Sequence, residues 1–303
     1  MGRALGFAAM LMVTGVIHAL GHLLAGLLAG ARIQEVSVGA GPVVFSLGRF
    51  RWRLLPVWAW VVFEPSDYEQ LHPSKRLGIS CGGPLANLLA SLLLLLVFGV
   101  GYGRIVAGTD FDIVHRVFPG SPAERAGLLP GDRLLEISGD TVLLERGQER
   151  LQLKITPQSG PRPLGVKLRP ALSLEPLSRE EGFVYGLRLA GHLLLAPLSV
   201  LRGGLPDDGL LPLPEGGALV GPSAWRSWPL AGCILGLATV QLWFFLLNLV
   251  PLPGTDACRA ALQLAQWAGI PVDCSVETRL GEFGVIAFGT AYGLMLVLLA
   301  LVG

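Results

Sequence analysis

Four stretches of this chain are apolar for about twenty residues at a time, and no other feature limits its fold so strongly. A helix that crosses a bilayer needs roughly 20 mostly apolar residues. Residues 4–29, 79–100 and 230–250 meet that length, and residues 283–302 add a fourth segment at the C-terminus. Composition agrees: 15% of the 303 residues are charged, 52% are hydrophobic and mean hydropathy is +0.59, whereas a soluble domain carries about a quarter charged residues. A net charge of +1 gives no electrostatic basis for a nucleic-acid partner. The expected fold is a polytopic α-helical membrane protein of about four spans, with the lipid bilayer as its first partner. The four cysteines (Cys81, Cys233, Cys258, Cys274) form no CxxC pair and are expected to be unpaired thiols.

Arg3 followed by an apolar run resembles the start of a secretory signal, but the run is too long for a signal core and is read as a retained span. Residues 32–77 hold six basic side chains (Arg32, Arg49, Arg51, Arg53, Lys75, Arg76), against Arg3 alone before the first span. The positive-inside rule then puts this loop in the cytoplasm and the N-terminus outside. Within the loop, residues 43–63 (VVFSLGRFRWRLLPVWAWVVF) are aromatic and β-branched around Gly48 and Pro56. They read as a hairpin at or dipping into the membrane face, and backbone at that depth has to be covered by protein.

From residue 104 to 171 charges appear and apolar runs shorten. DIVHRVF reads as a strand, GSPAERAGL as a short helix opened by Ser121 and Pro122, and PGDRLLEISGDTV as two strands about Gly139. The order of elements and the wording SPAERAGLLPGDRLLEISGD resemble a PDZ domain of bacterial membrane and periplasmic proteases. That resemblance implies an α+β insert binding an extended peptide or a C-terminus by strand addition, with GYGRI as candidate carboxylate-binding loop. Four regions follow: 1–103, the N-terminal half of a membrane domain; 104–171, PDZ-like; 172–227, an amphipathic helix and linker; and 228–303, the C-terminal half. Residues 183–201 are apolar but contain Arg188, His192 and Pro197. A span there would separate the loop after residue 250 from the first span's histidines, so an interfacial helix is expected.

The chemistry concentrates in VIHALGH, residues 16–22. His18 and His22 are four apart, so a helix presents both imidazoles on one face, a spacing that suits one zinc ion. At about 1.5 Å per residue they lie roughly 21 and 27 Å from residue 4, at the cytoplasmic end of the span. Ionisable groups inside a membrane are costly and mark functional sites, yet the pair could equally hydrogen-bond to neighbouring helices. A catalytic zinc takes three protein ligands. In LNLVPLPGTDACRA, Asn248 and two prolines break the third span just before Asp256. Asp256 could reach the same site or cap the following helix. A haem between the two histidines is disfavoured, because one helix cannot place them on opposite haem faces.

In combination these segments resemble the site-2 protease family of intramembrane zinc metalloproteases, in its bacterial form with a PDZ insert. VIHALGHLLAG stands where that family has H-E-x-G-H, and GISCGGPLANLLAS resembles its glycine-proline-x-x-asparagine motif. LVGPSAW precedes the third span, and NLVPLPGTDA resembles N-x-x-P-x-P-x-x-D. The resemblance implies Zn2+ held by His18, His22 and Asp256, with Asn87 and Asn248 lining a substrate cleft and the hairpin screening or presenting substrate. It also implies a multi-pass protein of the bacterial inner membrane, with N-terminus and PDZ-like domain outside and the metal near the cytoplasmic face. The partner implied is a single-span membrane protein, cut in regulated intramembrane proteolysis.

Three positions depart from the family: Ala19 replaces the glutamate, LPVWAWVVF replaces Pro-x-Gly-Gly-Tyr, and Ala257 replaces glycine. The glutamate is the general base for a water acidified by zinc. Alanine cannot serve, and losing a general base costs about 10²–10⁴-fold in rate. Glu35 and Glu64 are read as loop charges, and His72, His115 and His192 as outside the site. The expected function is an intramembrane zinc metalloprotease impaired at Ala19; the alternative is a pseudoprotease that binds membrane segments and peptides as scaffold or regulator.

Overall fold

The computed structural model describes residues 2–107, 110, 112–158, 163–169, 171–203, 211–212, 218–219, 229–272, 276 and 279–280. Two compact units emerge, residues 1–95 with 233–303, and residues 96–232. The expected span 283–302 and the segment LVGPSAW lie outside the described residues, apart from Leu219.

In the first unit, α1 (Gly2–Ala29) leads into strands β1 (Ile33–Leu47) and β2 (Phe50–Phe63), then α2 (Pro65–Gln70) and the long α3 (Pro73–Tyr102). Among the described residues three helices are long and apolar enough to cross a membrane: Ala8–Ala29, Pro73–Tyr102 and Leu230–Leu249, the last within α6 (Pro229–Leu249). The faces of α3 show which solvent the helix meets. Leu85, Leu89, Leu93 and Val97 are exposed along one stripe, while Asn87 and Ser91 are buried on another. A water-soluble helix does the reverse, so the exposed stripe faces lipid and the polar one faces protein.

Glycines set how closely α1 and α3 approach. A Cβ on Gly21 would lie 2.2 Å from the Gly82 carbonyl oxygen, and one on Gly82 would lie 2.6 Å from that of Gly21. Ala25 and Ala86 continue the same seam of small side chains, the usual solution for helices packing in lipid. Lys75 donates to the Ala29 carbonyl (3.1 Å), closing the C-terminus of α1 against the start of α3.

The hairpin is larger and more folded than the sequence suggested. It starts at Ile33 rather than residue 43, and Val36, Ser37 and Val38 each pair with two separate runs of β2. Val38 pairs with both Ala59 and Trp52, so the ribbon curls back on itself. Gly39 makes the bend: φ is +100°, and a Cβ there would lie 2.8 Å from the Arg53 carbonyl oxygen. Glu35, read in the sequence as a loop charge, lies in the strand, where ion pairs to Arg51 and Arg53 (2.8 Å each) make it tolerable.

In the second unit, β3 (Arg104–Ala107) pairs with β9 (Leu172–Glu175). A five-stranded antiparallel sheet has the order β7-β6-β5-β4-β8: β4 is Ile113–Val117, β5 Arg133–Ser138, β6 Thr141–Arg146, β7 Glu149–Lys154 and β8 Val166–Arg169. Ser121 caps the short α4 (Pro122–Arg125), and Gly139 turns β5 into β6 at φ +60°. ERGQERLQLKI forms part of the β6–β7 hairpin. Val114, Ala123, Leu128, Val142, Leu144 and Ile155 fill its core. GYGRI is the end of α3 and the start of β3. Residues 183–201 fall within α5 (Arg179–Gly203), and a two-stranded ribbon, β10 (Leu211–Pro212) with β11 (Ala218–Leu219), follows. In the first unit again, α7 (Asp256–Trp267) comes after α6.

The α1–α3 seam predicts that Gly82→Ala lowers stability by about 1–3 kcal/mol through overpacking. Gly78→Ala, at a helical glycine with nothing within 4 Å of the added Cβ, is expected to be neutral or slightly stabilising. Thermal unfolding of both variants in the same detergent measures the difference.

Candidate metal centre

Three side chains from two distant parts of the sequence meet beside this seam. The helical i,i+4 spacing puts the Nε2 atoms of His18 and His22 3.1 Å apart. The Asp256 Oδ2 atom lies 3.0 Å from the first and 3.4 Å from the second. A tetrahedral ion with bonds of about 2.0 Å has ligand atoms roughly 3.3 Å apart, so the three atoms sit as corners of one coordination face. Among the described residues this is the group of His, Cys, Asp and Glu side chains placed to share an ion.

Each ligand is fixed from behind. His22 Nδ1 donates to the Ile79 carbonyl (2.8 Å), which leaves the Nε2 lone pair for an ion. His18 Nδ1 lies 3.4 Å from the Asn87 carboxamide. Asp256 is free to ligate because Thr255, not Asp256, caps α7: the Thr255 hydroxyl accepts from the Cys258 amide and donates to the Val250 or Leu252 carbonyl (2.8 Å each). The Asp256 amide in turn donates to Asn248 Oδ1 (3.4 Å). At its other side α7 is tied to α2 by Gln263, whose Nε2 donates to the Tyr68 hydroxyl (3.0 Å). Burial alone would raise the Asp256 carboxyl, but the contacts from His18 and His22 outweigh it and hold the group well below the usual carboxylate range. It is therefore the anion that a cation needs.

Gly83 completes the cradle. A Cβ there would lie 2.4 Å from His22 Nε2 and 2.7 Å from His18 Nε2, against both imidazoles. The sequence reading missed it, although the paired glycines ahead of Pro84 were the available signal. It also missed an aromatic cover: Phe244 meets His18 edge-on at 5.2 Å, and Trp58 of the hairpin leans on Phe244 at 5.1 Å.

Of the predicted residues, the structure brings His18, His22, Asp256, Asn87 and Asn248 together. Asn248 accepts from the Asp256 amide and donates to the Phe244 carbonyl (3.0 Å). Ala19 is 5% exposed and packs with Val38 and Ala59 of the hairpin. Glu35 is held by its two arginines, Glu64 precedes α2, and His72 contacts Ser74 (2.7 Å). His115 lies in β4 and His192 in α5.

Comparison with known proteins places this arrangement. The sequence profile described as "Peptidase family M50" matches residues 6–289, so the chain belongs to peptidase family M50, the site-2 protease family, and is a membrane protein. Several relatives bear a zinc metalloprotease name. One from Rhizobium meliloti is 32% identical over 163 residues, 45% of this chain and 43% of the relative. One from Thermotoga maritima is 32% identical over 188 residues, 50% and 36% of the two chains. One from Agrobacterium fabrum is 31% identical over 204 residues, 52% and 53%. The chain thus matches about half the length, or less, of these curated relatives.

Gly83→Ala is expected to keep the fold and weaken metal binding by at least roughly 10–100-fold. Asp256→Ala is expected to abolish stoichiometric metal. Metal analysis after gel filtration, with the unmodified chain alongside, checks both.

Proposed function

We propose that this chain is a zinc-binding intramembrane metalloprotease of the site-2 type, acting on single-span membrane proteins in regulated intramembrane proteolysis and impaired in hydrolysis by Ala19. The observation that carries the reading is the spacing of His18, His22 and Asp256 as one tetrahedral face, with Gly83 leaving both imidazole Nε2 atoms uncrowded. Two imidazoles and a carboxylate with a position left open suit catalytic zinc, and the relatives' names point to the same metal. Zinc held there supplies Lewis acidity, polarising a carbonyl and acidifying water. The chain's own residues do the rest: His18, His22 and Asp256 hold the ion, Asn87 orients His18, and Asn248 orients Asp256. The proton acceptor expected at position 19 is a methyl group.

Residues 104–171 are read as a PDZ-like insert for an extended peptide or C-terminus, supported by the antiparallel sheet and the short helix at Ser121. The basic loop 32–77 supports a cytoplasmic-side metal centre in a bacterial inner membrane, with the N-terminus and the insert outside.

A second reading, a pseudoprotease that holds clients without cutting them, is favoured by one observation. The Ala19 methyl is packed by Val38 and Ala59, with Met12, Val16, Phe50 and Val61 around them. That is an apolar seat, and a carboxylate placed in it would be desolvated and crowded.

Zinc-loaded protein and a panel of single-span substrates separate the readings. Ala19→Glu with Ala59→Gly is expected to cut about 10²–10⁴-fold faster than the unmodified chain, and Ala19→Glu alone to fall between. If the folded, zinc-loaded double variant is inert on every substrate, the protease reading fails and the scaffold stands. Cleavage by the unmodified chain that disappears in His22→Ala removes the scaffold reading instead.

A further inference from the structure

Near the middle of α6, Gln241 is fully buried, and neither end of its carboxamide has a hydrogen-bond partner. Its level in the membrane follows from two contacts. Ser91 Oγ donates to the Ala238 carbonyl (2.8 Å), fixing the register of α6 on α3, and Phe244 meets the His18 ring. Gln241 lies three residues after Ala238 and three before Phe244, on the same helical face. Asn87 lies one turn before Ser91 on α3, fully buried, with one end of its carboxamide on His18 and the other unpaired. On α1, Thr14 stands one turn before His18, but its hydroxyl is satisfied by the Met10 carbonyl (2.8 Å). Two carboxamides on neighbouring helices therefore hold unused donors and acceptors at adjoining levels, beside the metal centre. Lipid offers them nothing, and an orphaned buried amide in a native fold calls for a ligand.

We propose that Gln241, with the free end of the Asn87 carboxamide, is a receptor for the peptide backbone of an unwound client segment; this rests on the metalloprotease reading of the His18–His22–Asp256 centre. A membrane helix satisfies its own backbone. It can present a peptide bond to a metal only by opening, and each opened residue then exposes an N–H and a C=O that lipid cannot satisfy. A carboxamide has the same donor and acceptor pair as a peptide group and pairs with it as a neighbouring strand would. Gln241 lies about one helical turn or less from the His18 level, at most roughly 5 Å. An extended chain advances about 3.3 Å per residue, so Gln241 receives the peptide group one to two residues from the one at the metal. Such a receptor reads backbone and not side chains, and so selects segments that unwind readily over segments of particular sequence. Both carboxamides are closed off in this structure, so client entry parts α6 from α3 at this level.

The test uses zinc-loaded full-length protein in detergent and three probes: acetohydroxamate, acetyl-trileucine hydroxamate, and the same tripeptide with N-methylated backbone amides. Calorimetric titration is expected to show the unmodified chain binding the free-amide tripeptide about tenfold tighter than the N-methylated one. In Gln241→Leu and Gln241→Met that ratio falls to about one, acetohydroxamate binding is unchanged, and the unfolding temperature rises because an orphaned amide is gone. Discrimination that persists in both variants, or its absence in the unmodified chain, overturns the proposal. So does a lowered unfolding temperature with the ratio intact, which would make Gln241 a structural residue. Failure of acetohydroxamate to bind the unmodified chain overturns the metal-centre reading itself and is told apart by that probe alone.

Discussion

Backbone contact between α1 and α3 is the constraint on which the rest of the membrane unit depends. Gly21 and Gly82 let the helices touch at their carbonyls, and that approach brings His22 within reach of the Ile79 carbonyl and His18 within reach of Asn87. One residue beyond Gly82, Gly83 contributes to the centre by lacking a side chain. A single Cβ at 82 would push the helices apart, and one at 83 would fill the space between the imidazoles. Packing and chemistry here share one short stretch, so the centre's geometry cannot be separated from the stability of the helix pair.

The third side chain of the cluster, Asp256, arrives by a different physical route. Proline cannot continue α6, and Gly254 turns at φ +91°, so the chain leaves the helix and restarts with Thr255 as cap. Because threonine takes the capping role, Asp256 enters the first turn of α7 with its carboxylate unused by the backbone. Gln263 on Tyr68, with Tyr68 stacked on Phe63, ties α7 to the base of the hairpin. The aspartate is thus held through the hairpin and α2 as much as by α6.

Much of this was legible in sequence because it rests on periodicity and spacing. Lengths of apolar run gave the three described membrane helices, and i,i+4 spacing gave the histidine pair. Contacts between segments far apart in sequence were not legible. Read alone, Asp256 is better taken as a helix cap than as a ligand, until Thr255 is seen in the cap position. The curled hairpin depends on Gly39 bending within a strand, a bend set by pairing with residues 52–55 further along the chain. Gln241 is one polar residue in an apolar run, and nothing local distinguishes an orphaned amide from one bonded to a neighbouring helix.

Ala19 and the hairpin are best understood as one change. A glutamate at that position of α1 requires space and a polar path beside the metal. Here Ala19 packs against Val38 and Ala59, and Trp58, next to Ala59, packs on Phe244, which in turn meets the His18 ring. A carboxylate buried among these side chains is strongly unfavourable without a compensating positive charge. A bound divalent ion supplies that compensation whether or not catalysis follows. Metal binding and bond cleavage therefore impose separate demands on this fold: the first depends on the spacing of His18, His22 and Asp256, the second on what surrounds position 19, which here is the apolar side of the hairpin.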